Sequence, residues 1–184
     1  MLVNDFRITV ERAIQDSDLS LTSWIGEREL KSQKMQDKIP FLMGTSQKSY
    51  KKAPDGAFTL TYPAEEYVDN HVEPIGFFLE VDRGTESNAV WAEKVMAYEL
   101  FRKSGLAQRY YGVTNFRILV TVSSQRRLDN LVKTTLKAEG GPFYWFTVQD
   151  NVDIFRPWRI FDDLWTVAGW EGNYSLKSLK LTSK

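Results

Sequence analysis

Apolar positions recur at helical spacing from the start of the chain. Phe6, Val10, Ala13 and Ile14 share a face behind a cap at Asn4 or Asp5, and the Asp16-Ser17-Asp18 cluster ends the segment. The period then changes. Leu19, Leu21, Ser23 and Ile25 alternate with their neighbours, which predicts a strand running to about Glu27. Lys31 to Lys52 is rich in Lys, Gln and Ser and reads as a long connection. Pro54-Asp55-Gly56 is a turn signature leading into a strand, Ala57 to Tyr62. A polar connection, Pro63 to Pro74, precedes the apolar run "IGFFLEVD", Ile75 to Asp82, a third strand. A helix follows, with Ser87 as its cap and Gly105 as its stop. Phe116 to Val122 is β-branched and apolar, a buried strand. "SSQRRLDNLVKTTLKAEGG" is a second helix, capped by serine and stopped by two glycines, and Phe143 to Val148 is another strand. The tail from Asp150 carries Pro157, Trp158, Trp165 and Trp170 and predicts short strands and loops packed back on the sheet.

The order is helix, three strands, helix, strand, helix, strand. It predicts an α/β fold, a mixed β-sheet flanked by helices. No repeat or low-complexity tract interrupts it. The 184 residues form one expected domain, with a core of about residues 3–148 and a C-terminal extension over residues 149–184.

Strand alternation gives the third strand its chemistry. Phe77, Leu79 and Val81 fall on one face; Phe78, Glu80 and Asp82 fall on the other. The two carboxylates lie about 6.5–7 Å apart along the backbone, at the poorly solvated end of an apolar run. If the second and third strands pair as an antiparallel hairpin, Asp55 falls beside them. Three carboxylates at one sheet edge are hard ligands suited to Mg²⁺ or Mn²⁺. On the following helix, Lys94 stands among Trp91, Tyr98 and Phe101, three before, four after and seven after it. A lysine among aromatic rings requires a carboxylate partner. Each piece alone has an ordinary explanation: a turn, a solvated strand end, a snorkelling lysine. The ordered combination points to a metal-dependent site.

Composition narrows the alternatives. A formal net charge of zero gives no overall basic footprint for nucleic acid, although local patches remain open. The absence of cysteine excludes disulfides and thiolate metal sites. A lone histidine, His71, excludes a His-rich zinc site and argues against a Ser-His-Asp triad. No segment has the length of a membrane span and none resembles a signal peptide, so a cytoplasmic protein without membrane partners is expected. No phosphate loop or cofactor fingerprint is present. Secondary candidates are Glu27 or Glu11 as a further acid, and Arg126, Arg127 and Lys133 as phosphate contacts on the second helix. "KSQK" and "QKSYKK" are basic segments able to touch a nucleic-acid backbone.

"PDGAFTL", "FFLEVDRGTES", "WAEKVMAY" and "FRILVTVSSQRRLDNL" resemble the plasmid replication-relaxation proteins from about Val3 to Val148. "EVDRGTES" followed by "KVMAY" is the most specific part. The resemblance implies a divergent PD-(D/E)xK, restriction-endonuclease-like fold with an αβββαβ core, similar to one class of conjugative relaxases. It implies DNA as partner and a DNA-nicking or cleaving role in plasmid replication or mobilisation. It carries Asp55 onto the acid after proline and Glu80 onto the first acid of the (D/E)xK element. Asp82 stands where the lysine usually stands, and Lys94 resembles a lysine migrated to the next helix. Glu27 or Glu11 matches an extra acid from the first helix region. Relatives usually carry an N-terminal winged-helix domain, for which there is no room before Val3. Such a domain, or a plasmid-encoded protein, is an expected partner.

The expected mechanism places the divalent metal on Asp55 and Glu80, with Asp82 as a further ligand or as the partner of Lys94. Lys94 orients the attacking water or stabilises transition-state charge. Water is the expected nucleophile; neither Tyr110 nor Tyr111 has a spacing that supports a covalent role. The alternative is an inactive nuclease-fold module that binds DNA or a protein partner.

Overall fold

The computed structural model describes residues 3–32, 54–63 and 74–177. Apart from Lys31 and Ser32, the long basic connection lies outside the described residues, and so does His71. Helix α1 (Val3–Ala13) runs into a short 3₁₀ turn and then strand β1 (Ser20–Gly26). The four-residue helix α2 (Glu27–Leu30) follows, so Glu27 opens a helix where the sequence places a strand end. Strands β2 (Gly56–Thr61) and β3 (Ile75–Val81) precede helix α3 (Asn88–Ser104). Helix α4 (Leu106–Tyr111), unread in the sequence, restarts after Gly105, whose φ of 70° turns the chain. Strand β4 (Asn115–Val122), helix α5 (Gln125–Lys137) and strand β5 (Tyr144–Val148) complete the alternation. The tail holds two 3₁₀ turns and the short strands β6 (Trp165–Val167) and β7 (Asn173–Tyr174).

Among the described residues the sheet has seven strands in the order β1-β2-β3-β4-β5-β6-β7. The first three form an antiparallel meander. Strands β3, β4 and β5 are mutually parallel, joined through α3 with α4 and through α5. Both faces are covered. Phe6, Val10 and Ala13 of α1 pack with Phe77, Leu79, Leu119, Trp145 and Trp165 on one side. Trp91, Val95, Tyr98 and Phe101 of α3 and Leu128 and Leu131 of α5 pack with Phe78, Ile118, Val120 and Phe146 on the other. Burial on both faces is why β3 and β4 read as nearly continuous apolar runs. Besides Glu80 on β3, the charged exception is Arg117, fully buried on β4, whose guanidinium lies 4.2 Å from the centre of the Trp145 ring.

Both main helices begin at the carboxyl ends of parallel strands. The Ser87 and Ser124 hydroxyls accept from the N–H groups of Val90 and Arg127, each at 3.3 Å, as caps. The close fit of the α3/α5 layer depends on Gly140. A β-carbon there would lie 2.6 Å from Thr135 Cγ2, 2.9 Å from Val95 Cγ1 and 3.0 Å from Tyr144 Cε2. These neighbours brace the helix that carries Lys94, because the Tyr144 hydroxyl donates to the Val95 carbonyl at 3.1 Å. Gly140→Ala is therefore expected to destabilise the fold by about 1–3 kcal/mol through overpacking. Gly141→Ala, with nothing within 4 Å, is expected to stay within about 0.5 kcal/mol of wild type. Urea unfolding of both variants checks this; equal effects would mean that the close approach at Gly140 has no energetic weight.

Candidate functional site

The carboxyl end of β3 is where the sequence places the acids. The β2/β3 register pairs Gly56 with Leu79, and Asp55 continues beyond it. The Asp55 N–H donates to the Leu79 carbonyl at 2.9 Å, and Asp55 Oδ2 accepts from the Val81 N–H at 2.8 Å. The side chain thus takes over a ladder position that backbone would otherwise fill. This sets Asp55 alongside Glu80, as the hairpin reading requires.

Glu80 is only 5% exposed. Its Oε2 accepts from Lys94 Nζ at 2.7 Å and its Oε1 from the Tyr98 hydroxyl at 2.7 Å. Lys94 and Tyr98 are four apart on α3, so they rise from one helix face. Lys94 reaches a second carboxylate, Glu86 Oε2, at 3.0 Å. Tyr98 and Glu86 are the site residues that sequence reasoning missed. The helical spacing already applied to Lys94 would have found Tyr98. Glu86 sits in a loop, whose path no periodicity gives.

Electrostatics follow from burial. Desolvation raises the Glu80 carboxyl above its ordinary range and the charge of Asp55 adds to this, while Lys94 and Tyr98 oppose it. Asp55 is raised for the same first reason; its hydrogen bond from Val81 and the charges of Lys94 and Arg83 pull the other way, and Glu27 pushes it up. Burial alone would lower Lys94, but the charges and hydrogen bonds of Glu80 and Glu86 outweigh it and hold the ammonium protonated well into alkaline pH. Burial and the Glu80 charge keep Tyr98 in its phenol form. Arg83, exposed just past β3, is a further cation within electrostatic reach of Asp55.

One expectation changes. Asp82 is not the partner of Lys94. Both its oxygens go to Arg127, Oδ2 from Nε at 2.7 Å and Oδ1 from Nη2 at 3.1 Å. Arg127 in turn donates to Asn88 Oδ1 at 2.9 Å and to the Glu86 carbonyl at 2.7 Å. It is a strut between α5, β3 and the loop entering α3, with four of its five N–H donors committed there. Both Asp82 oxygens thus answer a cation from α5. Arg126 and Lys133 are exposed on α5 and make no ion pair among the described residues.

Of the two further acids, Glu27 is near enough to act on Asp55 and pairs with Lys31. Glu11 pairs with Arg7 at 2.7 Å on α1, which covers the opposite face of the sheet, and so lies away from the site. Tyr111 packs its ring against Phe78 at 5.0 Å, and Tyr110 lies under Arg109, 5.6 Å from its ring centre.

No group of three or more His, Asp or Glu side chains among the described residues is placed to hold a metal ion. Asp55 and Glu80 remain as two adjacent carboxylates. Such a pair does not fit an all-protein cage. It fits the way Mg²⁺ binds, through one or two carboxylates with water and substrate oxygens filling the rest.

A carboxyl raised on folding takes up protons as the chain folds. Its contribution to stability is complete below the unfolded value and is lost as pH rises through the folded value. For Glu80, raised from 4.5, wild type should lose stability relative to Glu80→Gln as pH rises from about 4 to about 7. Paired urea unfolding at the two pH values measures it; a shift favouring wild type would contradict the burial argument.

A family model described as replication-relaxation matches residues 1–116. The matched segment contains Asp55, Glu80, Asp82 and Lys94 and ends at the second residue of β4, before Arg126, Arg127 and Lys133. No curated protein and no solved structure matches the chain. The model covers more than half of the 184 residues, and the chain belongs to the replication-relaxation family.

Proposed function

We propose that this chain nicks or cleaves DNA with a divalent cation, in the plasmid replication or mobilisation role that its family suggests. The observation that carries the reading is the pairing of half-buried Asp55 with buried Glu80, with the Lys94 ammonium against Glu80. The α-β-β-β-α-β order, with a meander followed by a parallel β4, supports a restriction-endonuclease-like core. An acid before β2 and an acid at the end of β3 stand where that fold carries its chemistry.

Asp55 and Glu80 are the residues to hold Mg²⁺ or Mn²⁺, with Glu27 adding negative charge nearby. Bound there, the ion would polarise a phosphoryl oxygen and lower the pKa of its water. Asp55 is ready for that role because Oδ2 is fixed by the Val81 N–H, while Oδ1 has no hydrogen-bond partner among the described residues. Tyr98 fixes the rotamer of Glu80 through Oε1. Lys94 supplies a permanent positive charge beside the carboxylates, able to stabilise charge developing on a scissile phosphate. Arg83, exposed at the rim, is a contact for the DNA backbone.

A second reading, a nuclease-fold module that binds DNA or a protein without cutting, has its own support. Both Glu80 oxygens are engaged, and the position where the motif usually carries lysine is Asp82, tied to Arg127.

A supercoiled plasmid with Mg²⁺ or Mn²⁺ separates the two. Wild type is expected to nick it. Lys94→Met and Glu80→Gln should each lower the rate by about 100-fold or more, the scale of losing a preorganised electrostatic group, with Lys94→Met leaving DNA affinity within a few-fold. Nicking retained undiminished in both variants would point to another site, and no nicking by wild type favours the binding module.

Cation binding is also open to measurement without DNA. Mn²⁺ at about a hundred times its dissociation constant should stabilise the fold by roughly 2.7 kcal/mol, seen as a raised Tm. Asp55→Asn should abolish that response. Equal shifts in wild type and variant would place the ion elsewhere.

A further inference from the structure

Lys94 sits between two carboxylates from different elements, Glu80 on β3 at 2.7 Å and Glu86 in the loop before α3 at 3.0 Å. With its side chain 14% exposed, the ammonium cannot be left without a partner. A divalent ion on Glu80 would meet the Lys94 charge at close range, where like charges repel strongly. The ammonium must then give up Glu80, and Glu86 is already in contact with it.

The position of Glu86 is set by other residues. Arg127 Nη2 holds the Glu86 carbonyl at 2.7 Å, Nη1 holds Asn88 at 2.9 Å, and Asp82 grips the same guanidinium through two bonds. Glu86 is itself 31% exposed, so it tolerates full charge better than Glu80, at 6%.

Resting on the metal-dependent reading above, the geometry points to Glu86 as a positioning residue that receives the Lys94 ammonium when a divalent cation binds Glu80, raising cation affinity without ligating the ion. The Asp82–Arg127 strut keeps it within reach. Removing Glu86 leaves Lys94 with Glu80 as its sole contacting carboxylate among the described residues and turns it into a stronger competitor for the ion.

The test is Mn²⁺ binding to the full chain, read from the electron paramagnetic resonance signal of free Mn²⁺ at neutral pH. Four proteins are compared: wild type, Glu86→Gln, Lys94→Met and the double variant. Lys94→Gln, which keeps a donor for Glu80, serves as a second neutral background should Lys94→Met fold poorly. Glu86→Gln is expected to weaken binding about tenfold in wild type and to change it by less than about twofold when Lys94 is neutral, the signature of two coupled residues. A tenfold loss in both backgrounds would make Glu86 a direct ligand and overturn the proposal. No loss in either would make it a bystander and also overturn it, while leaving the Asp55–Glu80 site intact. Wild type that fails to bind millimolar Mn²⁺ removes the metal-dependent reading, and this inference with it.

Discussion

A glutamate buried at the end of an apolar strand can keep its charge only if the fold brings it a cation and a donor. At Glu80 both come from one turn of α3, Lys94 on one carboxylate oxygen and the Tyr98 hydroxyl on the other. The crossing of α3 over β3 therefore has to place that turn above that residue. Much of the architecture serves this placement. Trp91, Val95, Tyr98 and Phe101 seat the helix on Phe78 and its neighbours. Tyr144 reaches across from β5 to the Val95 carbonyl, and Gly140 leaves the space for it to do so. Burying a charge in this way is a poor route to stability, since desolvation of both partners offsets much of their attraction. The arrangement makes better sense as a means of keeping a carboxylate and an ammonium in register.

The Asp82–Arg127 pair gives that network its second half. It links α5, β3 and the loop into α3, so the elements on the α3 side of the sheet are tied together at the carboxyl edge of the parallel strands. Ligand sites in open α/β sheets commonly lie at such edges, because loops and helix starts converge there. Here that edge gathers Asp55, Glu80, Lys94 and Glu86, while α1 and the tail aromatics seal the opposite face with apolar packing and carry no part of the site. The buried Arg117, over Trp145, belongs to that sealed face.

What the sequence by itself determined was everything that depends on local period and order. Two-residue alternation along β3 set Glu80 and Phe78 against α3, and Phe77, Leu79 and Val81 against α1. Helical spacing put Lys94 and Tyr98 on one face. The turn before β2 brought Asp55 back beside the end of β3. These inferences hold because backbone geometry enforces them whatever the rest of the chain does. Tertiary structure decided the pairings. Asp82 and Arg127 are 45 residues apart, and no spacing rule connects them; their bond exists because α5 packs on the same side of the sheet as α3. Glu86 meets Lys94 because a loop without periodicity is pinned by that bond. Glu11 and Glu27 were equivalent as candidate acids, and the side of the sheet that α1 covers separated them. Charge partners are chosen by which surfaces are pressed together and desolvated, and that is a property of packing, to which local pattern is blind.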